Sequence, residues 1–114
     1  MQEDQCTSEQ MQALKILSPR FKDVPAPLTA GMLSKYIPAV ITCEGDFYFF
    51  QCHKSDKGWT GCFKMSYNQI GVDENGDFKV NYKFLYDTGR TDKSLAWVLA
   101  SLLILLLENK VIKL

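Results

Sequence analysis

Hydrophobic residues crowd most densely toward the C-terminal end of the chain. From Leu95 to Leu107 only Ser101 is polar, with Lys93 before the run and Glu108 and Lys110 after it. A helix needs about 20 apolar residues to cross a bilayer, so this run is too short to span one. It predicts a buried helix instead, apolar on nearly every side. Thr91 or Asp92 is its expected cap, and Asn109 the expected left-handed residue beyond its end.

Helical spacing recurs near the N-terminus. Thr7-Ser-Glu-Gln10 reads as a capping box, followed by Met11, Leu14 and Leu17 on one face. Pro19 ends that helix, because the residue before a proline is pushed out of the α region. After the stiff connector Val24-Pro-Ala-Pro27, Thr29 can cap a second short helix carrying Met32, Leu33, Tyr36 and Ile37, closed by Pro38.

From Ala39 the period becomes two. Val40–Glu44, Phe47–Lys54 and Trp59–Tyr67 read as strands, joined by a two-residue turn at Gly45-Asp46 and a loop at Ser55–Gly58. Asn75-Gly76 signals a further tight turn. Phe78–Tyr86 is the cleanest strand, with Phe78, Val80, Tyr82, Phe84 and Tyr86 on one face. The elements predict an α+β fold: an antiparallel β-meander of four to five strands, with a long buried C-terminal helix on one face and one or two short N-terminal helices. One domain is expected over 1–114, with a helical segment at 1–38, the sheet at 39–87 and the final helix at 91–110.

Turn lengths set register. They place Cys43 opposite Tyr48, Ile41 opposite Phe50, Lys54 opposite Trp59, Cys52 opposite Gly61 and Phe50 opposite Phe63. One face then collects Ile41, Cys43, Tyr48, Phe50, Cys52, Trp59, Phe63 and Met65. This is the expected core face, and Ala96 and Ala100 would let the last helix approach it closely. The other face holds Thr42, Phe49, Gln51, His53, Thr60, Cys62 and Lys64. Phe47 and Phe49 are its apolar exceptions, expected to lie under the N-terminal helices.

One sheet face covers about half of a helix, and each large apolar side chain left wet forgoes roughly 1.5–3 kcal/mol. That shortfall predicts a homodimer, with Trp97, Leu102, Leu105 and Leu106 as the interface.

Composition narrows the classes. The chain has 114 residues, 13 basic and 13 acidic side chains, and no formal net charge. Without a basic field, neither nucleic acid nor a membrane surface is an expected partner. The acidic opening Met1-Gln-Glu-Asp-Gln5 carries no apolar stretch, so no signal peptide is expected; the expected setting is the cytoplasm, with thiols.

Candidate chemistry is sparse. Cys6, Cys43, Cys52 and Cys62 form no Cys-x-x-Cys pair. Cys43 and Cys52 share a face but lie about 13 Å apart along the ladder, beyond disulfide reach. A metal site from Cys52, His53 and Cys62 is disfavoured because Cys52 and His53 point to opposite faces. His53 and Cys62 are diagonal neighbours, which permits a Cys–His nucleophile pair, but nothing orients the imidazole or supplies an oxyanion hole. Asp73–Asp77 resembles a calcium loop only briefly, since the sixth and twelfth positions are Phe78 and Phe84. Gly89-Arg90 reads as a capping loop rather than an anion site. The sheet aromatics lack the arginines that base stacking wants. No cofactor and no metal are expected.

Val24-Pro-Ala-Pro-Leu28, Leu33-Ser-Lys-Tyr-Ile-Pro38 and Leu106-Leu-Glu-Asn-Lys-Val-Ile112, with strands around Tyr48 and Trp59 between them, give a layout that resembles small uncharacterised proteins of gut Bacteroidales and their phages or integrated elements. No activity is known for them, so the resemblance implies only an accessory protein of a mobile element. The expected function is therefore a small, non-enzymatic, self-associating interaction module. A ligand-binding domain with a pocket between sheet and helix is the alternative, and a thiol enzyme using Cys62 and His53 the weakest reading.

Overall fold

The computed structural model describes residues 4–65, 69–72, 74–81, 83–89 and 91–114. The fold is α+β. Helix α1 (Ser8–Leu17) is followed by a 3-10 turn (Pro19–Phe21) and helix α2 (Ala30–Ser34). Strands β1 (Val40–Cys43), β2 (Asp46–Lys54) and β3 (Trp59–Met65) form a meander. Strands β4 (Gln69–Val72) and β5 (Phe78–Asn81) pair as a separate ribbon, β6 (Phe84–Leu85) returns to β3, and helix α3 (Leu95–Glu108) closes the order. The main sheet is antiparallel, in the order β1-β2-β3-β6. No helix among the described residues is long and apolar enough to cross a membrane.

Helix α3 is the middle layer of three. Its Leu106 packs against Ile41, Tyr48 and Phe63 of the sheet. Its Ala96, Leu99, Ala100, Leu103 and Leu107 pack against Met11, Leu14, Phe21, Leu28 and Leu33 of the N-terminal layer. Two apolar surfaces therefore meet this helix from opposite sides, which accounts for an apolar run that a one-sided helix would not tolerate. The expected shortage of cover is met within the chain: no residue from Leu95 to Leu107 is exposed.

Close approach to the sheet comes from Gly61, not from the two alanines. A methyl group at Gly61 would sit 2.7 Å from Val98 Cγ1 and 2.8 Å from Leu102 Cδ1. Ala96 and Ala100 face the N-terminal helices instead.

The polar exception in α3 has a partner. The Gln10 side chain donates from Nε2 to the Trp97 carbonyl at 2.9 Å and to Ser101 Oγ at 3.0 Å. Its Oε1 accepts from the Thr7 N–H, and Thr7 Oγ1 accepts from the Gln10 N–H, so the expected capping box is present. One side chain thus closes α1 and ties it to α3. The helix start is Ser94, whose Oγ accepts from the Trp97 N–H. Neither Thr91 nor Asp92 caps it, because the Thr91 hydroxyl donates to the Trp59 carbonyl at 2.6 Å. The Asp4 carboxylate supplies a second cap, accepting from the Ala96 N–H at 2.9 Å. At the other end Lys110, not Asn109, takes the left-handed conformation, at φ 56°. The tail then folds back: Val111 and Ile112 pack on the sheet-side core, and Ser18 Oγ donates to the Leu114 carbonyl at 2.9 Å.

Register follows expectation between β2 and β3, where Lys54 meets Trp59, Cys52 meets Gly61 and Phe50 meets Phe63. Between β1 and β2 it differs by two positions: Cys43 meets Asp46 and Ile41 meets Tyr48. The turn residues are Glu44 and Gly45, at φ 51° and 85°, matching the two successive positive φ values of a type I′ turn. A two-residue shift preserves the faces, so the expected core face stands.

The long strand expected over Phe78–Tyr86 is divided. Its first part pairs with β4 and its second with β3, and Tyr86 turns left-handed at φ 53°. The chain turns at Asn75-Gly76 as expected, with Gly76 at φ 82°, but Val72 meets Phe78, so the β4–β5 connection is longer than a two-residue turn. Tyr67, Asp73, Tyr82 and Arg90 lie outside the described residues, and with them the expected calcium-loop start and the arginine of the capping loop.

Candidate functional site

Among the described residues all the helices lie on one side of the sheet, and none of them covers its other face. Residues directly opposed in an antiparallel ladder point the same way. The bare face is therefore crossed by a row Val40–Phe49–Lys64–Phe84 spanning all four strands, beside the pairs Thr42–Phe47, Gln51–Cys62 and His53–Thr60. Phe47 is 57% exposed, Phe84 47%, Phe49 42% and Val40 39%. The N-terminal helices do not cover Phe47 and Phe49, because those helices are engaged by α3 on the far side of the sheet. Exposed apolar residues are ordinary when scattered; here three phenylalanines and a valine gather on one flat surface.

The expected interface residues divide. Leu102 and Leu106 are fully buried inside this chain, while Trp97 and Leu105 are half-buried. Lys93 Nζ stands 5.8 Å from the centre of the Trp97 ring. The two leucines therefore cannot present a surface to another molecule without unfolding the core.

Cys62 lies on the bare face yet is buried. The segment after β6 stays against β3, the Thr88 N–H donating to the Gly61 carbonyl and Thr88 Oγ1 accepting from the Gly61 N–H. Burial pushes the Cys62 thiol up, and the Asp87 carboxylate adds to the effect against a smaller opposing pull from Lys64. An activated nucleophile needs the reverse, a thiolate favoured near neutral pH. His53 sits one row further along, exposed at the end of β2. The pair is brought to one face as expected, but its electrostatics protect the thiol rather than activate it. Burial also raises the thiols of Cys6 and Cys52. All four cysteines are free. Among the described residues no three His, Cys, Asp or Glu side chains are grouped to hold a metal ion.

The seam between sheet and α3 is closed to solvent. Tyr48, Phe63, Val98, Leu102 and Leu106 line it at 0–1% exposure. Clefts lie elsewhere. One of about 650 Å³ opens at the β2–β3 end between His53, Asp56, Lys57, Thr60 and Asp92. Its charged and hydroxyl lining differs from the mostly apolar walls of small-molecule sites. A shallower one of about 190 Å³ lies between α1 and Val24–Pro27.

The aromatic row was missed as a site in the sequence. Phe47 and Phe49 alternate with Tyr48 and Phe50, and only the placement of the helices tells the two sets apart. No protein-family model matches the chain, and no match was found among curated proteins or among solved structures.

Proposed function

We propose that this chain is a small non-enzymatic interaction module that self-associates through the bare face of its sheet. The observation that carries this reading is the exposure of Val40, Phe47, Phe49 and Phe84 together on one sheet face, while every described helix packs on the opposite one. Three aromatic rings facing water on a rigid four-stranded sheet are a costly arrangement for a protein that stays alone. The described strand residues on this face carry few charges, Lys64 and His53 beside the buried thiol of Cys62, with Asp87 near its edge. Such a surface suits a second copy of itself, since two-fold pairing brings the same patch to both sides. The mobile-element setting implied by the chain's resemblance, and a place inside the cell, belong to the same proposal.

The dimer thus uses the outer phenylalanines and not the leucines of α3. Sedimentation equilibrium or light scattering across the micromolar range tests it. The expected result is a concentration-dependent dimer that Phe49→Glu converts to a monomer with an unchanged circular dichroism spectrum. A wild-type protein that stays monomeric throughout would remove the reading.

A further inference from the structure

Strand β1 ends the order β1-β2-β3-β6, and among the described residues no strand pairs on its outer side. One bond just before it shows which way its backbone groups point. The Phe50 N–H donates to the Ala39 carbonyl at 2.9 Å, and these two residues stand opposite each other, one step beyond the pair Val40–Phe49. Opposed residues in an antiparallel pair alternate between those that exchange hydrogen bonds and those that do not. Ala39, Ile41 and Cys43 therefore bond toward β2. The N–H and C=O groups of Val40 and Thr42 point the other way, out of the sheet. Both residues are exposed, and among the described residues no backbone bond from outside the sheet reaches either one.

Sheets ordinarily guard such an edge with a charge, a proline, a bulge or a covering segment. Val40–Cys43 holds no charged residue and no proline, and its register to β2 runs without a bulge. The opposite edge differs, since β6 is only two residues long. An open strand edge takes another extended strand.

A second copy of β1 fits in one register. With Val40 opposite Val40, Thr42 meets Pro38, which has no N–H to give. With Thr42 opposite Thr42, Val40 meets Glu44, which has left the strand at φ 51°. With Val40 opposite Thr42, the N–H and C=O of both residues are satisfied in both copies, and Ile41 faces Ile41 on the axis. The edge is complementary to itself in this register alone.

We infer that copies of this chain also meet edge to edge: β1 of one pairs antiparallel with β1 of another about a two-fold axis at Ile41, Val40 of each exchanging backbone hydrogen bonds with Thr42 of the other. The contact goes beyond the face pairing proposed above and uses different groups. Val40 and Thr42 lie on the same face as Phe47 and Phe49, so edge pairing continues that face from one copy into the next. Strands this short trade bonds to water for bonds to each other, so the edge alone holds with a Kd on the order of a millimolar. A chain with two separate two-fold contacts builds an assembly larger than a dimer. Edge pairing therefore joins face-paired dimers as concentration rises.

The Phe49→Glu chain tests the edge by itself, because its face contact is removed. Between about 50 µM and about 2 mM it is expected to self-associate. Its translational diffusion should slow, and the amides of Val40 and Thr42 should exchange hydrogen more slowly than in dilute protein. Adding Thr42→Pro removes an outward N–H while leaving the bonds to β2, and is expected to weaken this association by about tenfold or more. Should Thr42→Pro disturb the fold, the exchange of the two amides decides the matter without it. Diffusion of the Phe49→Glu chain that stays constant over the whole range would show the edge contact to be wrong and leave the face pairing untouched. Association without slower exchange at Val40 and Thr42 would mean that another surface joins the copies, and the edge contact would again be wrong. If the wild type is a monomer at micromolar concentration while the Phe49→Glu chain pairs as described, the face pairing fails and the edge contact stands.

Discussion

Both faces of the sheet carry phenylalanines, and those phenylalanines meet opposite fates. Tyr48, Phe50 and Phe63 point inward, and Tyr48 and Phe63 are sealed from water; Phe47, Phe49 and Phe84 point outward and remain in it. Alternation on β2 assigns neighbouring aromatics to different environments one residue apart. The difference lies in α3. An all-round apolar helix claims one sheet face with one side and every N-terminal helix with the other. Among the described residues no helix is left to close the second face. Hydrophobicity in a strand therefore reports what must be covered, while the supply of covering elements decides what is.

The comparison can be tested at matched positions. Phe63→Ala on the inner face is expected to cost about 3–5 kcal/mol, because the ring is fully buried beside Leu106 and leaves a cavity. Chemical denaturation would read it. A smaller loss is expected for Gln10→Ala, about 1–3 kcal/mol, since it leaves Ser101 and the Trp97 carbonyl without their donor and opens the capping box. Thr7→Ala removes only the cap, so its effect should be about 1 kcal/mol. Phe49→Ala, measured at the lowest workable protein concentration, should change stability by no more than about 0.5 kcal/mol. A loss there as large as that of Phe63→Ala would mean the two faces are not different.

The smallest effect is one of pH. The thiols of Cys6, Cys52 and Cys62 are raised above their usual value of 9.0 by burial. In the unfolded chain they lose their protons more readily than in the native one. Their contribution is thus fully present below about pH 9 and falls as pH rises through the folded values. Melting temperature should decline above about pH 9, and less steeply in Cys62→Ala. Slow alkylation of native Cys62 at neutral pH, becoming fast only on unfolding, would report the same protection.

Local chemistry was legible in the sequence where neighbours in the chain are also partners in space. The capping box of Thr7 and Gln10 is complete within four residues, and the β2–β3 register follows from the short loop at Ser55–Gly58. Features set by distant partners were not. Thr91 looks like a cap until its hydroxyl is drawn to Trp59. The pattern of Phe78–Tyr86 reads as one strand, yet its halves pair with β4 and β3, a division made by partners outside it. Gly61 carries no signal that a helix will cross over it. The aromatic row was visible as residues but not as a site, because its exposure depends on where three helices settle.

The placement of α3 has a consequence for how the chain reaches its native state. In chain order this helix comes after both layers it joins, so the core between the N-terminal helices and the sheet cannot close before it arrives. The carboxylate of Asp4 on its first turn and Ser18 on the tail show contacts closing across almost the full length of the polypeptide. Such topology raises the mean separation of contacting residues and slows folding. Acquisition of structure should therefore be late and concerted, with the greasy segment that guides it also the one most prone to aggregate while it waits.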